Sequence, residues 1–248
     1  MATNPTGTDS YNNANAENAM FARNNGGELP ADYETKMVSS NAAAAPTGPI
    51  IANPGPLGLM AFATTTLCLS LFNAGAGVPA STPPNMVMGM AVFYGGLSQL
   101  LAGMWEFKTG NTFGATAFTS YGAFWMAFAA IYVPWFGILP AYASVPASTL
   151  ETAVGHFLVV WTIVTGIFTI ASHRSSIALF SLFFCLFITF ILLTASKYNS
   201  ANSTTTQVAG GAFGIITAAI AYYNALAGLL TPENSFFQLP LGPLNRRR

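Results

Sequence analysis

Hydroxyl and amide side chains interrupt the apolar stretches of this sequence at helical spacing. Thr66, Ser70 and Asn73 follow an i, i+4, i+7 pattern, so a helix places them on one face. These uncharged groups donate and accept hydrogen bonds without themselves changing protonation state at neutral pH. In an apolar environment they either bond neighbouring helices together or line a hydrated path, and both interpretations stay open.

Further polar residues of the same kind extend this pattern along the chain. The candidate path-lining residues are Asn53, Thr65, Thr66, Ser70, Asn73, Gln99 and Thr116. The sequence offers no spacing typical of a nucleophile with its base, or of metal ligands, in or beside these stretches. We therefore predict that the protein is not an enzyme and uses no cofactor.

Titratable groups are scarce between residues 57 and 230. His156 lies just inside a predicted span as a buried residue, where it is either a proton relay or a hydrogen-bonded histidine near the interface. The charged residues of this region all fall at predicted helix ends or in loops, and they are Glu106, Lys108, Glu151, Arg174 and Lys197. Because coupled carriers often hold a buried charge, this indicates a channel-like anion path, or transport of the acid with its proton supplied by water and His156.

Composition identifies the elements that must position these side chains. Charged residues make up 6% of the chain and hydrophobic residues 52%, whereas soluble domains are about 25% charged. Six apolar stretches each approach the ~20 residues that cross a bilayer. We therefore predict an all-α membrane protein with six transmembrane helices per protomer, at roughly 57–74, 86–105, 112–133, 152–171, 176–196 and 207–230.

Charge and polarity divide the rest of the chain. Residues 1–50 are polar and lack a hydrophobic period, so we predict a disordered tail, followed by a membrane domain over 51–230 and a short tail over 231–248. With six spans, seven of the eight basic residues lie on the side of both termini, which places the termini in the cytoplasm. The net charge of zero argues against a nucleic-acid partner.

The first span is preceded by Asn53-Pro54-Gly55-Pro56, a sequence typical of a helix start. Proline fits the first helical turn, and Asn53 can cap free backbone N–H groups. A helix N-terminus that faces a cavity favours a small anion. The residues alone do not distinguish such an anion site from a simple capped start.

Three motifs carry a resemblance to a known family. Residues 53–59 read NPGPLGL, residues 93–99 read FYGGLSQ, and residues 110–122 read GNTFGATAFTSYG. Together they resemble the acetate uptake transporter family, which includes YaaH-type succinate–acetate permeases and fungal acetate permeases and ammonia-export proteins. The long polar N-terminal region is most similar to that of fungal members.

This resemblance implies a plasma-membrane homohexamer with one pore per protomer for acetate and similar short monocarboxylates. It also implies an apolar constriction formed by Phe62, Tyr121 and Leu186, at which the Tyr121 hydroxyl is positioned to donate to the carboxylate. Small-residue stripes such as Gly210, Gly214 and Ala218 indicate close helix packing, within or between protomers. The alternatives are ammonia or ammonium export, and a non-transporting sensor that signals acetate through its tail.

Overall fold

The computed structural model describes residues 51–244, and within this range the chain is helical. The predicted N-terminal tail and Arg246 to Arg248 lie outside the described residues. The six long helices that position the site are α1 (Gly55–Asn73), α2 (Val87–Thr109), α3 (Thr112–Tyr132), α4 (Ala147–Ser172), α5 (Ile177–Tyr198) and α6 (Ser203–Leu229).

Five of these helices, all except α3, are long and apolar enough to cross a membrane by length and composition. Helix α3 has 21 residues, including threonine, serine and tyrosine, and it is not among these five. This finding supports a membrane protein with several spans, and the count of six spans remains a prediction. Three predicted ends were wrong, because α2 continues to Thr109, α4 already begins at Ala147 and α6 already begins at Ser203.

Local residue chemistry explains where the helices start and stop. Gly110 ends α2 with a φ of 79°, a left-handed conformation that glycine adopts without a steric penalty. Asn111 then caps α3, because its Oδ1 accepts from the Gly114 N–H at 3.0 Å. Ser176 caps α5 in the same way through the Leu179 N–H at 3.1 Å.

Helices α1, α3 and α5 run in the same direction. Gly55 and Gly114, in the first turns of α1 and α3, both lie beside Glu106 in the last turn of α2. We call this side of the bundle the Lys108 end. All three helices run from it to the opposite side, the Lys197 end, where Lys197 of α5 bonds Glu151 of α4.

Glycine positions bring the helices into close contact inside this chain. A Cβ on Gly210 would lie 2.8 Å from Leu193, and one on Gly214 would meet Ser70. On the other side of the bundle, a Cβ on Gly122 would lie 2.8 Å from the Leu100 nitrogen. These glycines pack α6 on α5 and α1, and α3 on α2, so they give no support for contacts between protomers.

The FYGGLSQ motif forms a specific backbone feature within α2. Residues Phe93–Ser98 adopt a π-helical turn, and the Ser98 hydroxyl donates to the Phe93 carbonyl at 3.0 Å. π-Helical turns are frequent at functional sites. Gly95 and Gly96 in this turn are buried, and a Cβ on Gly95 would lie 2.6 Å from Thr65 of α1. The motif therefore sets how closely α1 and α2 pack.

Candidate functional site: a cavity that ends at an apolar ring

A cavity of about 940 Å³ extends inward from the Lys197 end of the bundle. Its outer part includes Lys197 and Glu151, which form an ion pair at 2.7 Å. Its inner wall is largely aromatic, with Phe124, Trp125 and Phe128 contributed by α3. The ion pair leaves little net charge at the outer part, so the cavity accommodates a small permeant mainly through apolar and hydroxyl groups.

Phe62, Tyr121 and Leu186 lie together at the inner end of this cavity. All three are buried and belong to one hydrophobic cluster, and the rings of Phe62 and Tyr121 are 5.6 Å apart between centroids. No earlier residue of α1, α3 or α5 in the described chain lines the cavity. The structure therefore places these three predicted residues at the inner end of the same cavity, and we call this set of residues the apolar ring.

The hydroxyl of Tyr121 is already engaged by α4. Thr165 Oγ1 donates to the Trp161 carbonyl at 2.8 Å, and Tyr121 Oη lies 2.9 Å from the same Thr165 oxygen. With the threonine proton directed to Trp161, the bond between the two hydroxyls has Tyr121 as its donor, although either oxygen can donate at this distance. In this arrangement the tyrosine hydroxyl has no proton to donate to a carboxylate, contrary to the expectation from the sequence.

Three of the predicted path residues line the cavity, as the spacing of Thr66, Ser70 and Asn73 predicts. Ser70 and Thr66 are buried, while Asn73 Oδ1 accepts a bond of 3.3 Å from Gln207 of α6. Along α1 the cavity wall is thus apolar at Phe62 and becomes more polar toward the Lys197 end.

The other predicted path residues lie elsewhere. Asn53 is exposed and accepts from the Gly55 N–H at 2.9 Å, so it caps α1. Thr65 faces α2 and donates to the Ala61 carbonyl, and Thr116 is exposed and donates to the Thr112 carbonyl. Gln99 is buried outside the cavity wall, and its Oε1 has no partner among the described residues.

His156 occupies a different position from the one expected. Its side chain is exposed rather than buried, and it does not line the cavity. Its ring lies 5.9 Å from that of Tyr198, between centroids, on the outside of α4 and α5. The expectation of a buried histidine was therefore wrong, because α4 turns this face away from the other helices.

A buried carboxylate is present, although the sequence pattern indicated none. Glu106 is only 3% exposed, and its Oε2 accepts from Asn111 Nδ2 at 2.7 Å and from Thr109 Oγ1 at 3.3 Å. The carboxylate also lies beside Gly55, where a Cβ would be 3.4 Å from Oε1. The N-termini of α1 and α3 thus already face an anion supplied by the protein itself.

Sequence reasoning missed Trp125, Thr189 and Gln207, which also line the cavity. Trp125 follows Tyr121 by four residues and therefore shares its helix face. Thr189 follows Leu186 by three residues on α5. The signal for both residues is their helical spacing from Tyr121 and Leu186, which identifies them once the packing shows that this face of each helix lines the cavity.

An all-helical membrane protein with a cavity that ends at an apolar ring is the class that these features define. The chain belongs to the GPR1/FUN34/yaaH family, whose model matches residues 36–246. The predicted family is thereby confirmed.

Individual relatives refine this assignment. "Ammonia transport outward protein 2" of Saccharomyces cerevisiae is 48% identical over 188 residues, which are 76% of this chain and 65% of that protein. The "Succinate-acetate/proton symporter SatP" of Escherichia coli is 35% identical over 192 residues, 77% of this chain and 96% of that protein. The higher identity to the yeast protein agrees with the predicted similarity to fungal members. The chain spans less than two thirds of that yeast relative's length.

A solved structure extends the comparison to the fold. The "Structure of the bacterial acetate channel SatP" matches with a TM-score of 0.66 and 35% sequence identity. The match covers 78% of this chain and 100% of that chain. The described helices therefore share the fold of a protein named as an acetate channel, and these three relatives are named as transporters or channels.

Proposed function

We propose that this protein transports acetate and similar short monocarboxylates across the plasma membrane. The observation that carries the proposal is the cavity that ends at Phe62, Tyr121 and Leu186 within a single chain. An apolar ring resists the passage of hydrated ions, because they would lose water without compensation. The free-energy cost of entering the ring is smaller for acetate than for an inorganic ion, because the methyl group of acetate prefers apolar surroundings.

In this proposal the chain spans the membrane six times with both termini in the cytoplasm, and protomers assemble as a homohexamer. Lys108 and Arg174 then lie on the cytoplasmic side, as the positive-inside rule requires. The cavity opens outward, and a permeant passes Asn73, Ser70 and Thr66 before it reaches the ring. Thr65, Gln99, Thr116 and Asn53 act in helix packing and capping rather than in the path.

The buried Glu106 changes the argument about coupling to protons. The expected absence of a buried carboxylate led to two possibilities, a channel-like path or a proton supplied by water and His156, and that premise no longer holds. We favour a channel-like path on a different ground, because Glu106 bonds Asn111 and lies beside two helix N-termini, outside the cavity wall. Such surroundings suit a structural acceptor that holds the end of α2 against the starts of α1 and α3.

Ammonia export is the second candidate function, and the name of the yeast relative favours it. Purified protein in liposomes separates the two permeants when uptake of labelled acetate and of methylammonium is compared. Acetate uptake above that of protein-free liposomes, without methylammonium uptake, supports the proposal. Methylammonium uptake without acetate uptake would replace the first function by the second.

A further inference from the structure

One helical turn from the ring, toward the Lys197 end, the cavity wall contains two buried polar groups that form no hydrogen bond with another described residue. Thr66 follows Phe62 by four residues, and Trp125 follows Tyr121 by four residues. A four-residue step advances a helix by about 6 Å. Because α1 and α3 run in the same direction and Phe62 contacts Tyr121, Thr66 and Trp125 lie at about the same depth, on the outer side of the ring.

The Thr66 hydroxyl differs from those of its neighbours. Thr64 donates to the Met60 carbonyl at 2.8 Å and Thr65 to the Ala61 carbonyl at 2.9 Å, the usual bond of a threonine within a helix. Thr66 is 6% exposed, and its Oγ1 has no hydrogen-bond partner among the described residues. The hydrogen-bonding capacity of this buried hydroxyl is therefore used by none of the described residues.

Trp125 also carries a buried polar group without a partner, and its indole N–H can only donate a hydrogen bond. It is 2% exposed, and its Nε1 has no acceptor within residues 51–244. Its ring packs against Phe124 and Phe128, with centroids 5.1 Å and 6.2 Å away, so the indole position is well defined. A buried N–H without an acceptor is unfavourable unless a ligand or water supplies one.

We propose that Trp125 Nε1 and Thr66 Oγ1 are the donors that bind the carboxylate of the permeant at the outer side of the ring. This inference rests on the proposed function, since it assumes a monocarboxylate. A carboxylate accepts from both an indole N–H and a hydroxyl, whereas the Tyr121 proton is already used by Thr165. The methyl group of acetate then lies against the apolar ring. The two donors therefore bind the carboxylate end of acetate and the ring accommodates the methyl end.

The first test is Trp125→Phe, which removes the N–H donor and keeps an aromatic ring. A hydrogen bond to a charged group corresponds to at least about a tenfold change in affinity. We therefore expect the acetate concentration for half-maximal uptake into proteoliposomes to rise about tenfold. Trp105→Phe is the matched control, because Trp105 is 55% exposed and does not line the cavity. It should retain the wild-type value.

Thr66 provides a second test that does not depend on the folding of the tryptophan variant. Thr66→Val removes the hydroxyl with little change in shape, and it should raise the half-saturating acetate concentration. Thr66→Ser keeps the hydroxyl and should restore a value near that of the wild type. If Thr66 had only a structural role, Thr66→Val and Thr66→Ser would not differ in their half-saturating acetate concentration.

The outcomes separate this inference from the proposed function. If wild-type protein takes up no acetate, the proposed function fails. If wild-type protein transports acetate and both Trp125→Phe and Thr66→Val keep the wild-type half-saturation, the donor pair is wrong and the function stands. If Trp125→Phe does not fold, Thr66→Val with unchanged half-saturation is sufficient to overturn the pair.

Discussion

Replacing Glu106 by alanine tests how the Lys108 end of the bundle is held together. In the native protein the carboxylate accepts from Asn111 Nδ2 at 2.7 Å and lies beside the first turns of α1 and α3. The alanine variant removes this acceptor and leaves the amide of the exposed Asn111 without its partner. It also removes the anion that both helix N-termini face.

The size of the effect follows from these contacts. A hydrogen bond to a charged group contributes about 1.5–3 kcal/mol to stability. A charge beside a helix N-terminus contributes about 0.3–1 kcal/mol for each helix. The sum predicts a loss of about 3 kcal/mol for Glu106→Ala. At about 2–4 °C for each kcal/mol, the unfolding midpoint should fall by about 6–12 °C.

Thermal unfolding of the purified protein in detergent measures this shift. Glu106→Gln keeps the shape and an acceptor oxygen but not the charge. It should therefore lower the unfolding midpoint by about half as much as Glu106→Ala does. The control is Glu151→Gln, whose side chain is 52% exposed in its ion pair with Lys197. An exposed pair contributes about 0–1 kcal/mol. A midpoint for Glu106→Ala no lower than that of the control would refute the reasoning.

Three further substitutions have specific expected outcomes. Phe62→Ala widens the ring, so uptake of butyrate relative to acetate should rise in proteoliposomes, and an unchanged ratio would speak against a steric ring. Gly95→Ala forces Thr65 to move and should cost about 1–3 kcal/mol in thermal unfolding, whereas Gly89→Ala, with nothing within 4 Å, should not destabilise the protein. His156→Ala should leave acetate uptake under a pH gradient unchanged, and a loss of uptake would restore its role as a proton relay.

The positions of most helices could be predicted from the sequence because apolar stretches and their breakers are local signals. The predicted start and end of α3 differ from the observed ones by at most one residue. The end of α2 could not be predicted in this way. Glu106 and Lys108 indicated a loop there, yet the helix continues because Asn111 and the starts of two other helices accommodate the buried Glu106.

The candidate site shows the same division between local and tertiary information. The family motifs pointed to Phe62 and Tyr121, and the helical spacing on α1 selected Thr66, Ser70 and Asn73, which line the cavity. The direction of the Tyr121 hydroxyl could not be predicted, because it depends on Thr165, 44 residues away in the chain.

Helix orientation was equally inaccessible to sequence reasoning. His156 and Trp125 are both amphipathic residues within helices, but one faces outward and the other lines the cavity. Only the packing of α3 and α4 against their neighbours decides which face of each helix is turned inward. The folded chain therefore corrected the expectation for His156, which is exposed, and revealed Trp125, which is buried at the cavity wall.

Uptake of labelled acetate by proteoliposomes that contain a variant with a blocked apolar ring tests the central claim most directly. Leu186→Trp fills the ring from α5, whereas Leu226→Trp adds the same side chain at a position of α6 that is 45% exposed. We predict that wild-type protein and Leu226→Trp take up acetate, while a folded Leu186→Trp protein does not. Acetate uptake by folded Leu186→Trp at the wild-type rate would contradict a path through the ring of Phe62, Tyr121 and Leu186.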